Sequence, residues 1–119
     1  LMIYGDADKL ARVFDNLLRN AIAYCDKGTA IRIQAKERHQ EIEIVVANEG
    51  EKIPEEELSA IFEKFYRVDG SRSSKTGGAG LGLAIAKEIV ELHHGTIRAE
   101  SDEWETRFIV TLPAMNEGE

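Results

Sequence analysis

Thr76-Gly77-Gly78-Ala79-Gly80-Leu81-Gly82-Leu83 packs four glycines into six residues and runs straight into an amphipathic helical pattern. Glycine has no Cβ, so a backbone built from it takes positive φ freely and can approach a ligand closely. The first turn of the following helix carries unpaired N–H groups and a partial positive charge. The combination suits a phosphate. The competing reading is a glycine-rich surface loop that binds nothing. Two familiar phosphate loops do not fit. A P-loop requires G-x-x-x-x-G-K-[ST]; Gly77 and Gly82 have the separation, but Leu83 stands where lysine is needed. The dinucleotide fingerprint G-x-G-x-x-G, started at Gly78 and Gly80, would need its third glycine at Leu83, and no βαβ unit surrounds it. What remains is G-x-G-x-G at Gly78, Gly80 and Gly82.

Downstream, Ile85, Ala86, Ile89, Val90 and Leu92 form the inner stripe of a helix over about 82–93, which Gly95 stops. Two strands follow, at 96–100 and at 106–112 before Pro113. Upstream, residues 67–80 are rich in Ser, Gly and basic side chains and read as a loop, expected to move over 69–77. Before them Pro54 and Glu55-Glu56-Glu57 predict the acidic first turn of a short helix. Ile31–Lys36 and Ile42–Ala47 alternate as strands around a polar turn at His39-Gln40, an antiparallel hairpin. Asp6 is a good N-cap for a helix over 7–25, where Leu10, Val13, Phe14, Leu17, Leu18, Ala21 and Ile22 make a broad buried stripe. The element order predicts an α+β two-layer sandwich. Its sheet is mixed but largely antiparallel, covered on one face by about three helices.

At 119 residues the chain is one domain, with an ordinary 43% apolar share. A net charge of -7 argues against nucleic acid or an anionic membrane as the main partner. No apolar run approaches the ~18 residues of a membrane span, and no signal peptide is visible. Cys25 is the single cysteine, so no internal disulfide forms, and it reads as a small packing residue at a helix end. The opening Leu1-Met2-Ile3-Tyr4 has no usual start, which suggests a piece cut from a longer protein. His39, His93 and His94 do not suggest a metal cluster, and His93 falls in the apolar stripe of its helix as a structural residue.

The first helix bears on the glycine loop. Asn16, Asn20 and Tyr24 lie at i, i+4 and i+8, along one edge of the helix beside its apolar stripe. Polar groups at a core boundary are costly unless something meets them. An amide oxygen is a hard ligand suited to Mg²⁺, which in a nucleotide complex takes few protein ligands and fills its shell with phosphate oxygens and water. The alternative is a solvated helix edge.

Five ordered motifs then resemble the catalytic, ATP-binding domain of sensor histidine kinases. Asn16–Tyr24 is similar to its N box, Asn48-Glu49-Gly50 to the first glycine box, Phe62–Arg67 to the F box and Gly78–Ile85 to the second glycine box. Gly95-Thr96-Ile97 and Thr106-Arg107-Phe108 resemble its closing segments. The wording of Asp6–Val13 and the Ala23-Tyr24 ending resembles the vancomycin-resistance branch of that family. The resemblance implies the Bergerat form of the sandwich, a single catalytic domain over 1–119, and an ATP lid over about 51–82.

It also implies roles. Asn20 would hold Mg²⁺ against the phosphates of ATP, and Asn16 would orient a phosphate or nucleophile without activating water, because an amide is a poor general base. Tyr24 would lie near the nucleotide, and backbone N–H groups around Gly78, Gly80, Leu81, Gly82 and Leu83 would cradle phosphates. Arg67 is the leading γ-phosphate contact, with Lys75, Lys64 and Arg72 behind it. Asn48, with Gly50 and Thr106, would form the adenine pocket, and Ile53 would also contact ATP. The family's carboxylate at position 48 is an amide here, Lys52 replaces its second glycine, and Ala23 stands where many members carry lysine, so modest nucleotide affinity is expected. Phe62, Phe65 and Tyr66 read equally as core anchors or as docking points for the lid. No histidine sits in the family's phosphoacceptor setting.

The implied activity is therefore transfer of the γ-phosphoryl group of Mg-ATP to a histidine on a separate dimerisation domain, with a response regulator downstream. The fragment itself is expected to be monomeric and cytosolic, part of a membrane-anchored sensor, with no nucleic-acid or membrane contact of its own. A nucleotide-sensing module without phosphoryl transfer is the alternative.

Overall fold

Asp6 starts the first helix through its side chain: Oδ1 accepts from the N–H groups of Asp8 at 3.0 Å and Lys9 at 3.2 Å. The computed structural model describes residue 3, residues 5–66 and residues 81–114. Helix α1 runs Ala7–Tyr24 and buries Leu10, Val13, Leu17 and Ala21. Cys25 is already extended and caps the helix, its Sγ donating to Ile22 O at 3.4 Å, which fits a packing role. Ile22, expected in the stripe, is 64% exposed. Successive residues diverge by about 100° on a helix, and Ala21 takes the inward position at that turn.

Strands β1 (Ile31–Arg38) and β2 (Glu41–Asn48) form the expected hairpin, each longer than its apolar alternation suggested. His39 and Gln40 join them with φ of 50° and 67°, the φ signature of a type I′ turn. After the second helix come β3 (Thr96–Ser101) and β4 (Thr106–Pro113). The strand order is β1-β2-β4-β3, and each of these pairings is antiparallel. The parallel pair that a mixed sheet allows is not found among the described residues.

The inward positions are Ile42, Val46 and Asn48 on β2 and Thr106, Phe108, Val110 and Leu112 on β4. α1 packs over β2 and α2 over β3. The edge strand β1 is left largely exposed, with Ile33 on its inward register 55% exposed. Phe62 meets Phe108 edge to face, with ring centroids 6.1 Å apart.

The short helix expected after Pro54 is instead two 3₁₀ turns, Glu55–Glu57 and Ala60–Phe62. A segment this short gains too few i→i+4 bonds to offset helix nucleation, so it tightens to i→i+3. Helix α2 spans Gly82–Leu92. It ends in a Schellman motif: Gly95 N–H donates to Val90 O at 2.9 Å and His94 N–H to Glu91 O at 3.0 Å. The left-handed position is His94, φ 63°, directly before the Gly95 read as the stop. Gly95 is needed for another reason, because a Cβ there would collide with the Thr111 carbonyl of β4.

His93 is structural, as expected. Its Nδ1 donates to Ile89 O at 2.8 Å and its Nε2 accepts from Asp6 N–H at 3.0 Å, joining the end of α2 to the start of α1. The expectations for Arg67, Arg72, Lys75, Gly78, Gly80 and the loop around them lie outside the described residues.

Candidate functional site

Asn48 and Thr106 are the two buried polar residues among those described, each 4% exposed. They are direct cross-strand partners on β2 and β4. Cross-strand partners share a face, and the alternation from Val46 and Phe108 puts both on the helix-covered side. An otherwise apolar sheet face thus ends in an amide beside a hydroxyl. No side-chain hydrogen bond of Asn48 is found among the described residues. No fully buried side-chain N or O atom among the described residues lacks a hydrogen-bond partner, so the Asn48 amide keeps an accessible edge that a ligand can pair with.

Gly50 lies two residues beyond Asn48. It bridges Cys25, and Asp26 N–H donates to Glu49 O at 2.7 Å, so the end of α1 is tied to the end of β2. A Cβ on Gly50 would collide with Tyr24 O and lie 3.2 Å from Asn48 Nδ2. Gly50 is therefore required by the α1–β2 junction itself. Tyr24 is half-buried beside that junction.

At the other end of the same helix edge, Asn16 Nδ2 donates to Gly82 O at 3.1 Å. The sequence motifs on α1 and at the start of α2 thus meet directly. Leu81, Gly82 and Leu83 are all half-buried there. A Cβ on Gly82 would touch Asn16 only at ordinary distance, 3.8 Å from Cγ. Asn20 lies one turn along α1 from Asn16, half-buried, its side chain making no hydrogen bond among the described residues. From Asn16 to Tyr24 is eight residues, about 12 Å of helix. A polar edge therefore runs from the α2 N-terminus to the buried Asn48–Thr106 pair.

Ile53 is half-buried, and its N–H donates to Ser101 Oγ at 2.9 Å. Ser101 Oγ lies 2.8 Å from Thr106 Oγ1. Phe62 and Tyr66 belong to the core, whereas Phe65 is 67% exposed with φ 65°. Tyr66 OH donates to the Glu57 carboxylate. Burial first, and then that carboxylate, push the phenol up to about 12. Lys64 is exposed.

The sequence reading missed a charged cluster on the opposite sheet face. Arg107 Nε meets Glu100 at 3.3 Å, its Nη1 meets Asp102 and Glu105 at 3.0 Å each, and Arg32 grips Glu105 with two bonds of 3.0 and 3.1 Å. The Glu105 and Trp104 N–H groups, and then Arg107, hold the Asp102 carboxyl down to about 2. The signal was in the alternation, since Arg107 must point opposite to Thr106 and Phe108 and so lands above an acidic turn.

Among the described residues no group of three or more His, Cys, Asp or Glu could hold a metal ion. The donors present fit a cation that arrives with its own phosphate oxygens and needs one amide.

A family model described as "Histidine kinase-, DNA gyrase B-, and HSP90-like ATPase" matches residues 5–116. Sensor protein VanS of Enterococcus faecium is 56% identical over 115 residues, covering 97% of this chain and 30% of that protein. The solved catalytic domain of histidine kinase ThkA, in a nucleotide-free form, superposes with TM-score 0.81 at 32% identity, covering 94% of this chain and 70% of that one. A mycobacterial sensor histidine kinase, MprB, gives TM-score 0.82 at 29% identity, covering 94% and 74%. The chain thus spans less than a third of the VanS relative. No helix among the described residues is long and apolar enough to cross a membrane.

Proposed function

The chain belongs to the histidine kinase-, DNA gyrase B- and HSP90-like ATPase family, as the catalytic domain of a sensor histidine kinase, and we propose that it binds Mg-ATP and donates the γ-phosphoryl group to a histidine outside it. One observation carries the reading. The Asn16–Tyr24 edge of α1 joins Asn48, whose side-chain amide makes no hydrogen bond among the described residues, at one end to a helix N-terminus at the other. Base and triphosphate need those two chemistries at the two ends of one groove.

In this reading Asn48 accepts from the exocyclic amino group of adenine through Oδ1, beside Thr106, Ile53 and Gly50. Asn20 supplies the protein ligand to Mg²⁺, which neutralises phosphate charge when bound. Asn16, with its NH₂ engaged by Gly82 O, holds the α2 N-terminus in register for the phosphates. Tyr24 flanks the nucleotide. Arg67, Lys75, Gly78 and Gly80 would belong to the lid over about 51–82, with Leu81 and Gly82 at its end and Leu83 just past it on α2. The chemistry is positioning and charge neutralisation. The acceptor imidazole nitrogen bonds to the γ-phosphorus as the bond to the bridging oxygen of ADP breaks.

The parent protein is read as a membrane-anchored sensor whose cytosolic catalytic domain is this chain, with a response regulator downstream. The likeness of Asp6–Val13 and Ala23-Tyr24 to the vancomycin-resistance branch, with the 56% identity to VanS, supports a role in that response.

Asn20→Ala tests the site. It is expected to remove Mg-dependent ATP binding in a calorimetric titration while leaving the far-UV circular dichroism unchanged; unaltered Mg-ATP affinity would mean the site is wrongly assigned. Supplying the acceptor domain in trans tests the transfer. Phosphohistidine on that domain supports the kinase. Nucleotide binding with no transfer would instead favour a sensing module, the reading that Asn48 and Lys52 keep open through their departure from the family pattern.

A further inference from the structure

We infer that Ser101 is a positioning residue for recognition of the nucleotide base, acting through the Thr106 hydroxyl; the inference rests on the nucleotide-binding reading above. Ser101 is the last residue of β3 and the cross-strand partner of Thr106, whose partner on its other side is Asn48. Ser101, Thr106 and Asn48 therefore form one row across three strands, on the helix-facing side.

The hydrogen bonds make that row a unit. Ile53 N–H donates to Ser101 Oγ at 2.9 Å, and Ser101 Oγ and Thr106 Oγ1 lie 2.8 Å apart. A hydroxyl carries one proton and two lone pairs. The Ile53 N–H occupies one lone pair of Ser101, which leaves two arrangements. If Ser101 donates to Thr106, the Thr106 proton is free to point away from Ser101, and Thr106 offers a donor. If Thr106 donates to Ser101, Thr106 offers lone pairs alone. Asn48 carries both a carbonyl and an NH₂, so it complements either state. The Ser101–Thr106 bond thus couples the polarity that Thr106 presents beside Asn48 to the state of Ser101. The same oxygen tethers Ile53, so the strand that recognises the base and the segment that enters the lid share one anchor.

A tether for Ile53 alone would be a purely structural role, and coupling to Thr106 separates the two. Mg-ATP affinity is measured by calorimetry on the chain, on Ser101→Ala, on Thr106→Val and on the double variant, with circular dichroism and thermal unfolding as fold controls. Ser101→Ala is expected to weaken Mg-ATP about three- to tenfold, the net worth of one neutral hydrogen bond. In the Thr106→Val background the same change is expected to cost less than about twofold, because no hydroxyl remains to orient. Thr106→Ser keeps the hydroxyl and is expected to keep the full sensitivity. Ser101→Cys, close in size but a weak donor and acceptor, is run in both backgrounds and carries the same expectation if the alanine variant unfolds. Equal losses in the two backgrounds, or no loss in either, overturn the role given to Ser101. An unsubstituted chain that fails to bind Mg-ATP overturns the nucleotide reading and the inference with it.

Discussion

Two glycines that the motifs treat alike do different work. Gly50 sits where a Cβ would strike the Tyr24 carbonyl, so Gly50→Ala forces apart the α1–β2 junction. It is expected to lose about 1–3 kcal/mol, read as a lower denaturant midpoint in the absence of any nucleotide. Gly82 leaves room for a Cβ, which would meet Asn16 at ordinary contact distance. Gly82→Ala is therefore expected to leave the unfolding midpoint unchanged or slightly raised, while weakening Mg-ATP through loss of close approach. A stability loss at Gly82 equal to that at Gly50 would show that both glycines serve packing. Motif reading found both positions because glycine is conspicuous in a sequence. It did not find Ser101 or Arg107, whose roles depend on which strand lies beside them, and cross-strand register is not written in local spacing.

The elements were legible where one period dominates. The α1 stripe and the alternation in β2 and β4 emerge with their bounds nearly as read, because burial of one face selects one register, whereas β1 is largely exposed and takes its register from pairing with β2. The segment after Pro54 was not legible, since adjacent glutamates and a pair of buried residues suit either a short helix or 3₁₀ turns. Gly95 stops α2 as read, yet the left-handed residue is His94, φ 63°, while Gly95 makes room for β4. A side chain in that conformation costs about 1–2 kcal/mol. His94→Gly, at an exposed position whose contacts are through its backbone, is expected to stabilise the chain by about 1 kcal/mol, less the extra freedom glycine gains when unfolded. The hairpin makes the same prediction twice over. Replacing His39-Gln40 with Asn-Gly, residues that take positive φ readily, is expected to raise the urea midpoint without changing nucleotide affinity. A lowered midpoint in either variant would mean the native side chain makes a contact worth more than its backbone strain.

At the scale of the whole molecule, one sheet carries a buried polar end at Asn48 and Thr106 on its inner face and an ion cluster directly behind it. Arg107 on β4 holds Glu100, Asp102 and Glu105, and Glu105 in turn holds Arg32 on the far edge strand. The cluster spans the sheet across Ala47, the small residue paired with both Arg32 and Arg107. Because Thr106 and Arg107 are neighbours pointing to opposite faces, loosening the cluster loosens the strand that presents Thr106. Such surface pairs contribute modestly and are screened by salt, so pH isolates them better than truncation does. The Asp102 carboxyl is held down to about 2 by the Glu105 and Trp104 N–H groups and then by Arg107. A folded-state value below the unfolded one contributes stability that is present above about pH 4 and lost as pH falls toward 2. Tyr66 has the opposite sign. Its phenol is raised to about 12 by burial and by Glu57, so its contribution is present below about pH 10 and lost between 10 and 12. The expected profile is a stability plateau with separate acid and alkaline edges. Asp102→Asn is expected to flatten the acid edge between pH 4 and 2 and leave the alkaline edge alone, and Tyr66→Phe to do the reverse. Urea midpoints measured at fixed ionic strength across pH 2 to 12 read both edges. An acid edge equally steep with and without Asp102 would move its origin to the other carboxylates, Glu105 first, since Arg107 and Arg32 lower that group as well against its own burial.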